Sequence, residues 1–264
     1  MNLNTLKRTL QPSKHVKTII LGHQKSGTTA IAALLAKCAD ASYSNDPLYQ
    51  IDQGTGIAAN KLLSDPKKLK YFIHRHPILF SRNIIKDPDL IFAWPQINTC
   101  FENANYIFVL RDPRDNIRSI CDRLALSGKN STQTPPISQM DRGNKHWQQI
   151  ITGTLPTLSS SPSNNYLINL ANRWNHAATI CAKNKHKMEV VKYEDFKANK
   201  IETIHYLAEK LGHTIKNDIS NDLSKQFQKA GNSTIKWEDF YSQENLSLIE
   251  RICAKNMAYF GYNN

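Results

Sequence analysis

The sequence predicts an α/β fold: one domain over residues 1–264, with a mostly parallel central sheet flanked by helices on both faces. Three observations carry this. A short β-rich run, Lys17–Leu21 (KTIIL), leads through a loop at Gly22–Thr29 into an apolar helical pattern over Ala30–Ala41. A second run, Tyr106–Leu110 (YIFVL), is apolar throughout, as in a strand covered on both faces. A chain of 264 residues that is 40% hydrophobic can bury one full core.

The remaining elements follow in order. Ile84-Ile85-Lys86-Asp87-Pro88 is a short strand-like run ending in charge. Asp112-Pro113 reads as an N-cap followed by the first helical residue, so a helix is expected from there. Met188–Tyr193 (MEVVKY) reads as a further strand, and about 199–211 as a helix stopped by Gly212. A last helix is expected from about Gln243 to Phe260. Ser127–Pro136 and Gly153–Asn165 are rich in Ser, Thr, Pro, Asn and Gly, which marks residues 127–165 as candidate acceptor-side loops.

Composition narrows the class. The longest apolar stretch, Ala30–Ala36, is far short of the roughly 20 residues that span a bilayer. Met1–Lys17 is polar and basic with no apolar core, so no secretory signal is expected. Five scattered cysteines without a CxxC pair suggest reduced thiols, and together these features point to the cytoplasm. The formal net charge of +12 favours anionic partners. The basic residues are spread along the chain with no nucleic-acid motif, so an anionic nucleotide or acidic acceptor is expected rather than nucleic acid.

The loop Gly22-His23-Gln24-Lys25-Ser26-Gly27-Thr28-Thr29 lies between strand and helix. Such a loop turns backbone N–H groups and the positive end of the helix dipole toward an anion. Ser26, Thr28 and Thr29 can add hydroxyl donors, and Gly27 lets the backbone approach closely. The loop is P-loop-like but not a Walker A, in which Lys directly follows the second Gly. Here Lys25 stands two residues before Gly27. From there it can reach the oxygen that bridges a 5′-phosphate to a transferred group and neutralise the charge growing on it.

This loop resembles the PKSGTT 5′-phosphosulfate loop of sulfotransferases, enzymes that use 3′-phosphoadenosine 5′-phosphosulfate (PAPS) and release 3′,5′-bisphosphate adenosine (PAP). The second motif, Tyr106–Ser119 (YIFVLRDPRDNIRS), places Arg111 at a strand end and Ser119 about two turns into the next helix. The family carries this Arg and Ser pairing, which implies that Arg111 and Ser119 hold the 3′-phosphate. The RDPRD stretch is similar to bacterial and carbohydrate-type members, and Arg114 and Asp115 within it read as solvated. Lys192-Tyr193-Glu194-Asp195 is similar to a later strand-end segment, implying Tyr193 near the adenine. Lys229-Ala-Gly231 with Trp237 resembles the segment that closes over the nucleotide, implying Lys229 as a 3′-phosphate ligand although the family's RKG triplet is missing. Ala30 replaces a Trp that many cytosolic members stack on adenine, so stacking must come from elsewhere.

The resemblance implies transfer of a sulfuryl group from PAPS, without metal, to a hydroxyl or amine. A saccharide is the first expectation for the acceptor, then a lipid or small metabolite. Lys86 stands where heparan-type members place a lysine facing the sulfuryl group. Carbohydrate-type members use a carboxylate base, which favours Asp46, then Asp87, His74 and His76. The His74-Arg75-His76 spacing is not by itself a metal site. Two rivals remain at this stage. One is a P-loop nucleotide kinase with Asp112 as its metal carboxylate; the other is a non-catalytic nucleotide- or polyanion-binding module of the same fold.

Overall fold

The computed structural model describes residues 16–140, 144–156, 161–227 and 235–262. Its sheet has five strands, β1 (Thr18–Gly22), β2 (Tyr43–Asn45), β3 (Ile84–Lys86), β4 (Asn105–Leu110) and β5 (Glu189–Lys192). They lie in the order β2-β3-β1-β4-β5, and every pairing is parallel. The helices, in chain order, begin with α1 (Thr28–Cys38), α2 (Pro47–Asp52), α3 (Ile57–Ser64), α4 (Leu69–Arg75), α5 (Pro77–Phe80) and α6 (Trp94–Cys100). They continue with α7 (Pro113–Leu124), α8 (Lys145–Thr152), α9 (Tyr166–Lys183), α10 (Tyr193–Ala198), α11 (Lys200–Lys210), α12 (Trp237–Phe240) and α13 (Gln243–Phe260).

The inner strands β1, β3 and β4 are mainly apolar because both faces are covered. Ile20, Ile84, Ile107, Val109 and Val191 point to one face, where Ile31, Leu34 and Leu35 of α1 and Ile204 and Leu207 of α11 bury them. Ile19, Leu21, Ile85, Tyr106, Phe108 and Leu110 point to the other, against Ile117 and Leu124 of α7, Leu170 and Trp174 of α9 and Ile249 of α13. The alternation within YIFVL therefore feeds two cores rather than one core and solvent.

The expected fold class holds, and four of the five strands fall where the sequence places them. Strand β2 and helices α2–α6, α8–α10 and α12 were not expected, and two of them show why. β2 is three residues long with Tyr43 exposed, and it exists because it pairs with β3. α9 follows a loop-like stretch but buries Leu167, Leu170, Ala171, Trp174, Ala177, Ala178 and Cys181, a helical repeat capped by Asn165. Residues 127–165 are not loop throughout, since α8 lies within them. Their first part is pinned: the Tyr166 hydroxyl reaches the Ser127 and Asn130 carbonyls, and Asn245 Nδ2 those of Gly128 and Lys129.

Arg114 is buried, not solvated as the sequence suggested. Asp112 caps α7 by accepting from the Arg114 N–H at 2.9 Å. The same carboxylate takes Arg114 Nε at 3.0 Å and NH2 at 2.8 Å. Glu250 on α13 accepts from the third guanidinium nitrogen at 3.1 Å, and the guanidinium lies 3.9 Å from the Trp237 ring centroid. Asp115 likewise accepts from Arg118 and from Trp237 Nε1. Burial supplies the reason: the interior admits Arg114 only because the Asp112 and Glu250 carboxylates occupy its fork. Asp112→Ala removes the cap and half of that fork at once. It is expected to cost roughly 3 kcal/mol in urea denaturation; wild-type stability in that variant would contradict this account.

Candidate functional site

Because every strand runs the same way, their carboxyl ends share one edge of the sheet. α1 leaves β1 toward one face and α7 leaves β4 toward the other. The divergence opens a crevice between the ends of β1 and β4, the usual ligand position in an open α/β sheet.

The loop from Gly22 to Gly27 lines that crevice in a conformation most residues avoid. Gly22 has φ +145°, and a Cβ there would sit 2.5 Å from the Val109 carbonyl oxygen. Gly27 has φ +86°, and a Cβ there would sit 2.5 Å from Cδ2 of the Tyr193 ring. Lys25, a non-glycine, is held at φ +66°. Left-handed geometry costs a side-chain-bearing residue roughly 1–2 kcal/mol, so neighbours must hold it. Asn116 Nδ2 donates to the Gln24 carbonyl at 2.7 Å and to Ser26 Oγ at 3.0 Å. Arg111 NH1 donates to the Lys25 carbonyl at 2.9 Å. Ser26 is fully buried beneath the loop.

A cavity of about 530 Å³ lies over the loop. It is lined by Lys25, Gly27, Thr28, Thr29, Arg111, Ser119 and Tyr193, seven positions singled out from the sequence. The Arg111 guanidinium stacks 4.6 Å from the Tyr193 ring centroid, and its Nε is buried with no hydrogen-bond partner. The wall adds Arg118, Lys197, Lys200 and Lys225 against one carboxylate, Asp122, among the described residues. Phe227 and Phe196 also line it, as does Ala30. Phe227 was missed because it stands alone in a polar stretch with no period to mark it. Trp237 is not among the lining residues but packs on Arg114 and Asp115. Lys229 and Gly231 lie outside the described residues.

Asp46 and Lys86 sit at the carboxyl ends of β2 and β3, on the other side of β1 from Arg111. Lys86 Nζ donates to both Asp46 oxygens at 2.8 Å, and the Asp46 N–H donates to the Lys86 carbonyl. The Lys86 side chain is 3% exposed and that of Asp46 30%. Asp87 is buried, accepting from the Leu48 and Asp89 N–H groups at 3.0 Å. Burial, followed by the charges of Asp89 and Asp46, pushes its carboxyl well above the usual carboxylate range. His74 is exposed on α4, and His76 lies half-buried against Phe72. Neither histidine lines the cavity.

A second buried polar group joins the loop from below. Asp89 accepts from Gln24, Arg173 and His146. Burial alone would raise its carboxyl, but His146 and Arg173 hold it well below the usual range. His146 is correspondingly raised: burial lowers it, and Asp89 outweighs that. His23 stacks on Trp174 with ring centroids 5.5 Å apart, and burial, then Arg173, lowers its pKa to about 3, so it is neutral in the folded protein. Nothing in the spacing of Gln24, Asp89, His146 and Arg173 marks them as neighbours; four separate elements bring them together. Among the described residues no three His, Cys, Asp or Glu side chains gather as a metal site, and no helix is long and apolar enough to cross a membrane.

Fold and crevice together define a P-loop-like α/β protein with a cationic cavity at the sheet's carboxyl edge. The sulfotransferase domain model matches residues 15–251, and the chain belongs to that family, whose activity is sulfuryl transfer. Among solved structures, a sulfotransferase from Mycobacterium avium superposes with a TM-score of 0.56 at 13% identity, covering 98% of this chain and 80% of that one. One from Alicyclobacillus acidocaldarius gives 0.53 at 10% identity, covering 93% and 94%. The sulfotransferase domain from the curacin biosynthetic pathway gives 0.51 at 12%, covering 94% and 98%. At such identities the likeness speaks for the fold. No curated protein sequence matches the chain.

The Asp46–Lys86 pair has a measurable consequence. Asp46→Asn leaves a buried ammonium without its counter-charge, which is expected to cost roughly 2–3 kcal/mol given the partial exposure of Asp46. The double variant Asp46→Asn with Lys86→Met should recover most of that loss in a denaturation cycle. Additive losses would show that the two side chains do not depend on one another.

Proposed function

We propose that this protein transfers the sulfuryl group of PAPS to a hydroxyl or amine of an acceptor, a saccharide in the first instance and otherwise a lipid or small metabolite. One observation carries the reading: the phosphate loop and the Arg111–Ser119 pair, far apart in sequence, line one cavity with six cations on its wall. Its two ends suit the two anionic ends of PAPS. Lys25, Thr28, Thr29 and the loop N–H groups face the 5′-phosphosulfate, with Ser26 bracing the loop from beneath. Arg111 and Ser119 hold the 3′-phosphate, and the unpartnered Arg111 Nε supplies a donor for it. Lys229, from its sequence, would add to that end. Tyr193 and Phe227 supply the adenine stacking that Ala30 does not.

The acceptor oxygen or nitrogen attacks sulfur, and the bond from sulfur to the bridging oxygen breaks, releasing PAP. Lys25 neutralises the charge that grows on that oxygen. Sulfuryl carries less negative charge than phosphoryl, so the reading requires no Mg²⁺, unlike phosphoryl transfer. Asp46 takes the acceptor proton, and Lys86, which holds both Asp46 oxygens in place, also attracts a non-bridging sulfuryl oxygen. The kinase alternative needs Asp112 on a metal, yet both Asp112 oxygens are engaged by Arg114. The intact Lys25 speaks against a merely binding module.

Calorimetry tests the donor. PAP is expected to bind without Mg²⁺ and ATP poorly. Arg111→Ala should weaken PAP strongly and adenosine 5′-phosphosulfate much less, since only PAP has a 3′-phosphate. Tight Mg-ATP binding without PAP binding would sink the reading, and equal losses on both ligands would make Arg111 merely structural.

Labelled PAPS screened against acceptor classes tests the transfer. Lys25→Ala is expected to lower turnover by roughly 10²–10³-fold while PAP still binds. Undiminished transfer by that variant would overturn the mechanism, and phenols as sole acceptors would overturn the saccharide assignment.

A further inference from the structure

We propose that Gln24 is a positioning residue for the phosphate loop, acting through Asp89, a buried carboxylate that the loop shares with α8 and α9. The proposal rests on the reading of that loop as the 5′-phosphosulfate site. Gln24 directly precedes Lys25, and its side chain leaves the cavity: Nε2 donates to Asp89 Oδ1 at 2.7 Å. Asp89 is 4% exposed, and its backbone N–H is fixed on Asp87 Oδ1. Arg173 of α9 donates to the same Oδ1, and His146 of α8 reaches Oδ2 at 2.9 Å. Arg173 is itself immobilised, its guanidinium 4.3 Å from the Phe92 ring centroid.

The partners of Asp89 divide by purpose. Arg173 opposes its charge and His146 holds its other oxygen, so the carboxylate is compensated in the interior without Gln24. The Gln24 amide adds no charge; what it adds is attachment of the loop to a fixed point. That attachment answers a local need. Lys25 holds a left-handed conformation, and the residue before it must not swing if the loop N–H groups are to stay aimed at one anion. Asn116 holds the Gln24 carbonyl, and Asp89 holds the side chain, so backbone and side chain are fixed from opposite sides. Asp89 also ties α8, inside the candidate acceptor-side segment, to the donor loop through His146.

The test needs no acceptor. Gln24→Met keeps length and removes the donor, leaving Asp89, Arg173 and His146 as they are. Two ligands are compared by calorimetry, with competition against PAP for the weaker one. PAP carries a 5′-phosphate that meets the loop, whereas adenosine 3′-phosphate meets only the Arg111–Ser119 end. Gln24→Met is expected to weaken PAP roughly tenfold, because binding must then order a loop that Asp89 no longer holds. Adenosine 3′-phosphate should stay within about twofold, while the urea midpoint falls modestly, as the loss of one buried hydrogen bond requires. Unchanged PAP affinity or equal losses on both ligands would each overturn the proposal. If the wild-type protein itself fails to bind PAP, the phosphosulfate reading falls and this proposal with it. If the wild type binds PAP and Gln24→Met does so equally, only the proposal falls.

Discussion

Gly22 stands opposite Val109 in the β1–β4 ladder, with φ +145° and no room for a Cβ against the Val109 carbonyl. That close pairing sets where the chain leaves β1, and much of the site follows from it. The loop turns over the sheet edge, α1 departs to one face, and α7 departs from β4 to the other. Had both helices left on the same side, the carboxyl edge would be covered and no crevice would remain. The strained loop is held open by its surroundings: Asn116 and Arg111 from the β4–α7 side, the Tyr193 ring over Gly27, and Asp89 beneath Gln24.

Charge is distributed unequally along that edge. Around the cavity between β1, β4 and β5, lining cations outnumber lining carboxylates even though Arg118 and Lys225 are paired with Asp115 and Asp222 behind the wall, so the wall presents a net positive potential to an anionic ligand. On the β3–β2 side, charges are matched within the protein: Lys86 by Asp46, and Asp89 by Arg173. The first arrangement suits binding a multiply charged nucleotide. The second suits a place where a proton and an uncharged acceptor must be handled, since paired charges hold their geometry without drawing in counter-ions.

Buried ion pairs of this kind are expensive to assemble and seldom stabilise more than a well-packed apolar substitute. Their use here is geometric. Arg114 welds the start of α7 to α13 through Asp112 and Glu250, which fixes the helix carrying Asn116 and Ser119. Asp89 plays the corresponding part on the other side of the loop. Both sit one layer behind the residues that face the cavity.

The sequence by itself determined the parallel α/β fold, the Gly22–Thr29 loop with Lys25 inside its arc, and Arg111 and Ser119 at the next strand and helix. These are legible because strand-loop-helix units are local: apolar runs, a Gly-Thr turn and an Asp-Pro cap each act within a few residues. It did not determine β2, whose three residues become a strand only beside β3. It left Asp46 and Lys86 as separate candidates 40 residues apart, and read Arg114 as solvated when it is buried. α9 was written in its apolar repeat and simply overlooked. Tertiary structure alone decided which charges meet. Gln24, Asp89, His146 and Arg173 lie on four segments with no shared period. An ion pair depends on distance in space, which the order of residues along the chain does not encode.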